Sequence, residues 1–255
     1  MFLAVDVGNT QTTLGLLDDA GALVHGWRMA TDATDTSDML HSRLWGYFGK
    51  DGYDIGSITE AGVACVVPVL SRAWRKCLAS IMCREPHMVS PLADYGLEID
   101  MPNPRQIGAD RIANAIAART SYGAPVIVVD FGTATNIDVV DDRGAYRGGT
   151  IAPGLMLSAD ALFSRAAKLS SVPIEDPGKA LGDSTETAVQ SGLVIGAAAQ
   201  AEGLVARIKA ELGVKDVPVI GTGGLARTVS KATDLFDHID PDLTLRGIRS
   251  IALGE

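Results

Sequence analysis

The chain has 255 residues, 47% of them apolar and 21% charged, an ordinary composition for one large or two small soluble domains with ample material for a core. Its 22 Lys and Arg against 31 Asp and Glu leave a net charge of −9 with no basic run, which argues against binding nucleic acid or an anionic membrane. No apolar stretch approaches the roughly 18 residues of a membrane span, and the opening MFLAVDVGNT lacks the basic segment of a signal peptide. The three cysteines, Cys65, Cys77 and Cys83, form no CxxC pair, so a cytoplasmic protein without a disulfide framework or zinc cluster is expected. The four histidines have no ligand spacing and are assigned no chemistry.

In chain order, residues 2–5 and 12–17 read as short strands rich in apolar and β-branched residues, followed by an Asp-Asp-x-Gly turn into a third strand. Residues 37–48 and 70–82 read as helices, and the Ala-rich 111–121 is strongly helical by propensity. The pattern then restarts. The segment VIVVDFGTATNIDVVDDRGAYRGG from Val126 repeats FLAVDVGNTQTTLGLLDDAGALV from Phe2. Asp6 aligns with Asp130 and Gly8 with Gly132; after a one-residue gap, Asp18-Asp19 aligns with Asp141-Asp142 and Gly21 with Gly144. Residues 126–129 and 137–140 are the matching strands. Further on, 157–169 is helix-like, 186–212 is a long Ala-rich helical stretch with a break expected near 192–203, and 217–220 is an apolar run before Gly221-Thr222-Gly223-Gly224-Leu225. The reading is an α/β chain of two similar halves, 1–122 and 123–255, with mixed sheets covered by helices and a seam at 121–125.

The loops carry the chemistry. Asp6-Val7-Gly8-Asn9-Thr10 and Asp130-Phe131-Gly132-Thr133-Ala134-Thr135 each join two strands. Glycine lets backbone amides approach an anion, Thr and Asn add neutral donors, and the acid can hold a hydrated cation. One acid-x-Gly hairpin is usually only a turn; two at equivalent places in a duplicated chain are suited to clamp a nucleoside triphosphate. The third cluster, around Gly223, reads as a strand-to-helix turn that leaves a nucleotide contact and a plain helix start both open. No GxxxxGK[ST] or GxGxxG occurs, which excludes a P-loop and counts against a Rossmann site. Gly108-Ala109-Asp110-Arg111 opens the Ala-rich helix; Arg can grip a carboxylate and Asp can accept a hydroxyl proton, although an N-terminal Asp also caps a helix. Gly148-Gly149-Thr150-Ile151-Ala152-Pro153-Gly154 reads as a substrate loop or as structural punctuation.

DVGNT, GADR, DFGTAT, GG-x-I-x-PG, GDSTETAVQSG, TGG and DLTLRGI occur in an order that resembles the type III pantothenate kinases of the acetate and sugar kinase, Hsp70 and actin superfamily, nearly end to end. The resemblance implies two ribonuclease H-like (actin-like ATPase) domains, phosphorylation of pantothenate by ATP with Mg2+, a K+ or NH4+ ion beside the nucleotide, and a homodimer that pairs through its C-terminal half. Matched motif by motif, it implies ATP contacts at Asp6, Val7, Gly8, Asn9, Thr10, Gln11, Thr12, Thr13 and Thr133. It implies a catalytic base at Asp110, pantothenate contacts at Gly108, Ala109, Asp110, Arg111 and Thr185, and the monovalent cation at Asp130. The chain departs from the family pattern at Asn136, where Thr is common, at Met101, where many members have Tyr, and at Ser170, where Pro is usual. Some relatives of these kinases act as transcriptional accessory factors that keep the fold and lose catalysis. Asp6, Asp110, Arg111 and Asp130 are all present, which favours the enzyme. Small residues at Gly192, Gly196, Ala197, Ala198 and Ala199 would allow close helix packing within one chain or between two.

Overall fold

A computed structural model describes residues 1–166 and 171–255. It divides into two compact units, the first formed by Met1–Leu97, Pro102–Ala117 and Asp242–Glu255, the second by Glu98–Met101 and Ala118–Pro241. The compact units therefore do not follow the two halves of the sequence, because the C-terminal segment packs with the first unit. We retain 1–122 and 123–255 as the proposed limits of the duplicated repeats.

The first unit holds a mixed five-stranded sheet ordered β3-β2-β1-β4-β5. Its strands are β1 (Phe2–Val7), β2 (Gln11–Leu17), β3 (Leu23–Ala30), β4 (Glu60–Cys65) and β5 (His87–Met88). One face packs under α1 (Ser37–Lys50) and α2 (Pro68–Met82), with Leu3, Val5, Leu14, Leu44, Phe48, Val63 and Trp74 at the core. Thr36 caps α1 by accepting the Met39 amide. The central strands read as continuous apolar runs because helices cover both sides. Helix α3 (Ala109–Tyr122) starts in this unit, and α8 (Leu243–Leu253) lies against β1 and β4. Close approach explains the glycines of that contact: a β-carbon on Gly247 would stand 2.0 Å from the Ala113 carbonyl, and one on Gly62 2.7 Å from the Ile248 side chain. Thr244 Oγ1 donates to Asn114 Oδ1 at 2.7 Å, tying α8 to α3.

The second unit repeats the plan. Its strands are β6 (Val126–Phe131), β7 (Ala134–Val140), β8 (Tyr146–Pro153), β9 (Val219–Thr222) and β10 (His238–Ile239), in the order β10-β9-β6-β7-β8. The equivalence extends to detail. Register shifts fall between Leu16 and Leu17 and between Val139 and Val140. Asp18 accepts the Ala22 amide at 2.8 Å, and Asp141 the Ala145 amide at 2.9 Å. Gly21 and Gly144 have φ of +83° and +79°, the left-handed turn conformation that favours glycine. The helices are α4 (Leu155–Arg165), α5 (Thr185–Gln190), α6 (Gly196–Leu212) and α7 (Ala226–Val229).

Three sequence expectations are corrected. The Gly/Pro-rich 148–154 segment is neither a loop nor punctuation: residues up to Pro153 form strand β8, whose Gly149 lies where a β-carbon would be 1.6 Å from the Ile137 carbonyl. The break in the long Ala-rich helix is a π-helical turn, Ser191–Ile195, and Gly203 sits inside α6. Gly221 and Thr222 belong to β9 rather than to the turn. The C-terminal end expected for the helix 157–169, and the Ser170 departure, lie outside the described residues. No helix among the described residues is long and apolar enough to cross a membrane.

Candidate active site

In the first unit, the antiparallel pair β1–β2 turns through Gly8, Asn9, Thr10 and Gln11, closed by the Gly8 amide donating to the Gln11 carbonyl at 3.1 Å. Asn9, Thr10 and Gln11 are exposed, Asp6, Gly8 and Thr13 half-buried, and Val7 is wholly in the core, so Val7 can offer only its backbone. Thr12 is buried, and its hydroxyl bonds that of Thr31 at 2.8 Å. The Thr31 amide donates to the Thr10 carbonyl at 3.0 Å. Thr31, which the sequence motif does not mark, thus braces the loop from behind.

The same corner leads to Asp110. The Val66 amide donates to the Val7 carbonyl at 3.0 Å, and a β-carbon on Gly108 would sit 3.4 Å from Val66 Cγ1 and 2.3 Å from Asp110 Oδ1. Asp110 accepts the Arg111 amide at 2.8 Å, and Ala109 is buried. Burial pushes the Asp110 carboxyl above its ordinary value, while the amide bond and the Arg111 charge oppose the shift. A carboxyl with a raised pKa is, once ionised, a stronger base than an ordinary carboxylate, which favours proton abstraction.

In the second unit, the Gly132 amide donates to the Ala134 carbonyl at 3.0 Å, matching the Gly8 turn with one residue fewer. Thr133 is exposed at the tip, and its carbonyl accepts the Gly154 amide at 3.1 Å. Asp130 is half-buried on β6. Gly223 has φ +89°, and a β-carbon there would be 2.4 Å from Asp130 Oδ1, so glycine keeps the space that this carboxylate occupies. No group of three or more His, Cys, Asp or Glu among the described residues could hold a metal ion. A cation at Asp130 would meet one carboxylate and neutral oxygens, which fits a singly charged ion. Magnesium would be held mainly by its waters and substrate phosphates, its common mode beside one or two carboxylates.

Thr185, exposed, is the first residue of α5. Ser184 and Thr187 form a reciprocal capping box there. Gly182 lies so close to α5 that a β-carbon would be 2.4 Å from the Ala188 amide nitrogen. Met101 packs its sulfur 3.3 Å from where a Gly148 β-carbon would be, while the Tyr95 hydroxyl accepts the Ser90 amide at 3.0 Å. Thr222, which the sequence places in a glycine cluster without a role of its own, is fully buried on β9, and its Oγ1 has no hydrogen-bond partner among the described residues. A hydroxyl buried in that way costs about 1–3 kcal/mol.

Residues 2–207 match the family model "Type III pantothenate kinase". A relative of that name from Listeria monocytogenes is 42% identical over 248 residues, covering 97% of this chain and 95% of the relative. Another, from Moorella thermoacetica, is 39% identical and covers 98% of both chains. Among solved structures, a putative Baf family transcriptional activator from Campylobacter jejuni superposes with a TM-score of 0.62 at 19% identity, over 98% of this chain and 96% of that one, a likeness of fold. The duplicated five-stranded sheets, the two acid-x-Gly turns and this near full-length similarity place the chain in the type III pantothenate kinase family.

Proposed function

We propose that the chain transfers the γ-phosphoryl group of ATP to the primary hydroxyl of pantothenate, giving 4'-phosphopantothenate, the first step of coenzyme A biosynthesis. The observation that carries this reading is the family match from residue 2 to residue 207. The alternative, an ATP-binding transcriptional accessory factor of the same fold, is not favoured: relatives at about 40% identity are named as kinases, and the acids at Asp6, Asp110 and Asp130 are intact.

Asp110 accepts the hydroxyl proton as the substrate oxygen attacks phosphorus, help typically worth about 10²–10⁴-fold. Gly108, Ala109, Arg111 and Thr185 hold pantothenate, with the Arg111 guanidinium on its carboxylate. The residues from Asp6 to Thr13 and Thr133 bind the nucleotide, the exposed turn residues Asn9 and Thr10 facing the phosphates. Asp130 holds a monovalent cation. Magnesium and that cation, when bound, neutralise phosphate charge. Positioning and charge neutralisation supply most of the acceleration.

The protein acts in the cytoplasm as a homodimer. Exposed apolar side chains in the second unit, Ile151, Met156, Leu157 and Leu181, lie on the edge strand β8, on α4 and before α5, and support pairing through this half. Ala198 packs into the core of its own unit, leaving Gly192, Gly196 and Ala199 as the exposed part of the small-residue stripe. An ADP-release assay with and without pantothenate, in potassium and in tetramethylammonium buffers, tests the activity. Nucleotide turnover that ignores pantothenate would refute it.

A further inference from the structure

Three neighbouring strands of the second unit line up one row of oxygen-bearing side chains. Asp130 on β6 is the register partner of Asn136 on β7 and of Thr222 on β9. Register partners project to the same face of a sheet. The opposite face of these strands carries Val129, Phe131, Ile137 and Val219 in the hydrophobic core. Carboxamide, carboxylate and hydroxyl therefore stand side by side, with Asp130 in the middle.

The Thr222 hydroxyl is the informative member. The residue is 0% exposed, and its Oγ1 has no hydrogen-bond partner among the described residues. Buried hydroxyls are nearly always satisfied, so one lacking a partner points to a group that binds there. The next residue, Gly223, clears the space around Asp130 Oδ1. One carboxylate with two neutral oxygens carries a single negative charge. Hard cations take such oxygens, and a divalent ion usually recruits more carboxylate charge.

We infer that Thr222 Oγ1, with Asn136 Oδ1, completes the protein share of a monovalent-cation site centred on Asp130. This rests on the reading that Asp130 holds such an ion. Threonine supplies a neutral oxygen at a fixed place, because its branched β-carbon restricts the side-chain rotamer.

The test is thermal unfolding of the full chain with Mg-ATP, titrating KCl against tetramethylammonium chloride at constant total chloride. In the wild type, melting temperature rises with potassium. Thr222→Val raises the potassium concentration at half-maximal rise by about tenfold or more, and Thr222→Ser keeps it within about threefold. In tetramethylammonium alone, Thr222→Val melts no lower than the wild type, since it removes a hydroxyl that lacks a partner. Asp130→Asn abolishes the potassium response. If Asp130→Asn abolishes it while Thr222→Val keeps the wild-type half-point, the assignment of Thr222 falls and the Asp130 reading stands. If the wild type shows no potassium response, or Asp130→Asn retains it, both fall.

Discussion

A β-carbon on Gly108 would lie 2.3 Å from Oδ1 of Asp110, so the residue two positions before the proposed base must be glycine for the carboxylate to keep its place. The expected consequence is that Gly108→Ala lowers kcat while the fold persists. Asp110→Asn lowers kcat by about 10²–10⁴-fold with ATP binding retained. Steady-state kinetics with nucleotide binding measured by calorimetry decide this; an Asp110→Asn enzyme within about threefold of wild-type kcat removes the base assignment.

Burial raises the Asp110 carboxyl above its ordinary 3.8, so the folded chain binds this proton more tightly than the unfolded one. The associated stability is fully present below the ordinary value and is lost as pH rises through the folded value. At neutral pH the ionised carboxylate is therefore a cost, and Asp110→Asn should melt higher than the wild type at pH 7 while being inactive. The acid limb of kcat/KM should lie above the ordinary value of 3.8. A wild type that melts as high as Asp110→Asn at pH 7 would contradict the shift.

Activity itself should require potassium or ammonium. A carboxylate at Asp130 beside a triphosphate repels it unless a cation reverses the local sign. Replacement of potassium by tetramethylammonium at constant ionic strength should depress kcat in the wild type, and Asp130→Asn should show little further loss. Full turnover in a buffer free of potassium and ammonium contradicts this.

Helix α8 depends on contact at Gly247, where a β-carbon would meet the Ala113 carbonyl at 2.0 Å. Gly247→Ala should destabilise by about 1–3 kcal/mol, the usual cost of overpacking. Urea unfolding reads this out; an unchanged midpoint would show that α8 can shift freely.

Sedimentation equilibrium should find a dimer at micromolar concentration. Met156→Asp with Leu157→Asp should shift it to monomer and raise KM for pantothenate if the partner helps to shape that site. A fully active monomeric wild type defeats the proposal.

Much of the fold was legible in the chain, because the first three strands of each sheet and their turns are local. The Asp-Asp-x-Gly turns need glycine at positive φ and an acid that caps the following amide, and Gly21, Gly144, Asp18 and Asp141 display that chemistry in the letters themselves. The acid-x-Gly corners and the helix after Asp110 are local in the same sense. Packing between distant segments decided the rest. Gly149 permits a strand where composition suggests a loop, since a neighbouring carbonyl leaves no room for a side chain. Gly247 matters because α8 returns to the first unit, and no local rule records that return. Thr222 stands out in sequence only as part of a glycine cluster; the pairing of β9 with β6 makes it the register partner of Asp130, since register is a property of two strands brought together by the whole fold.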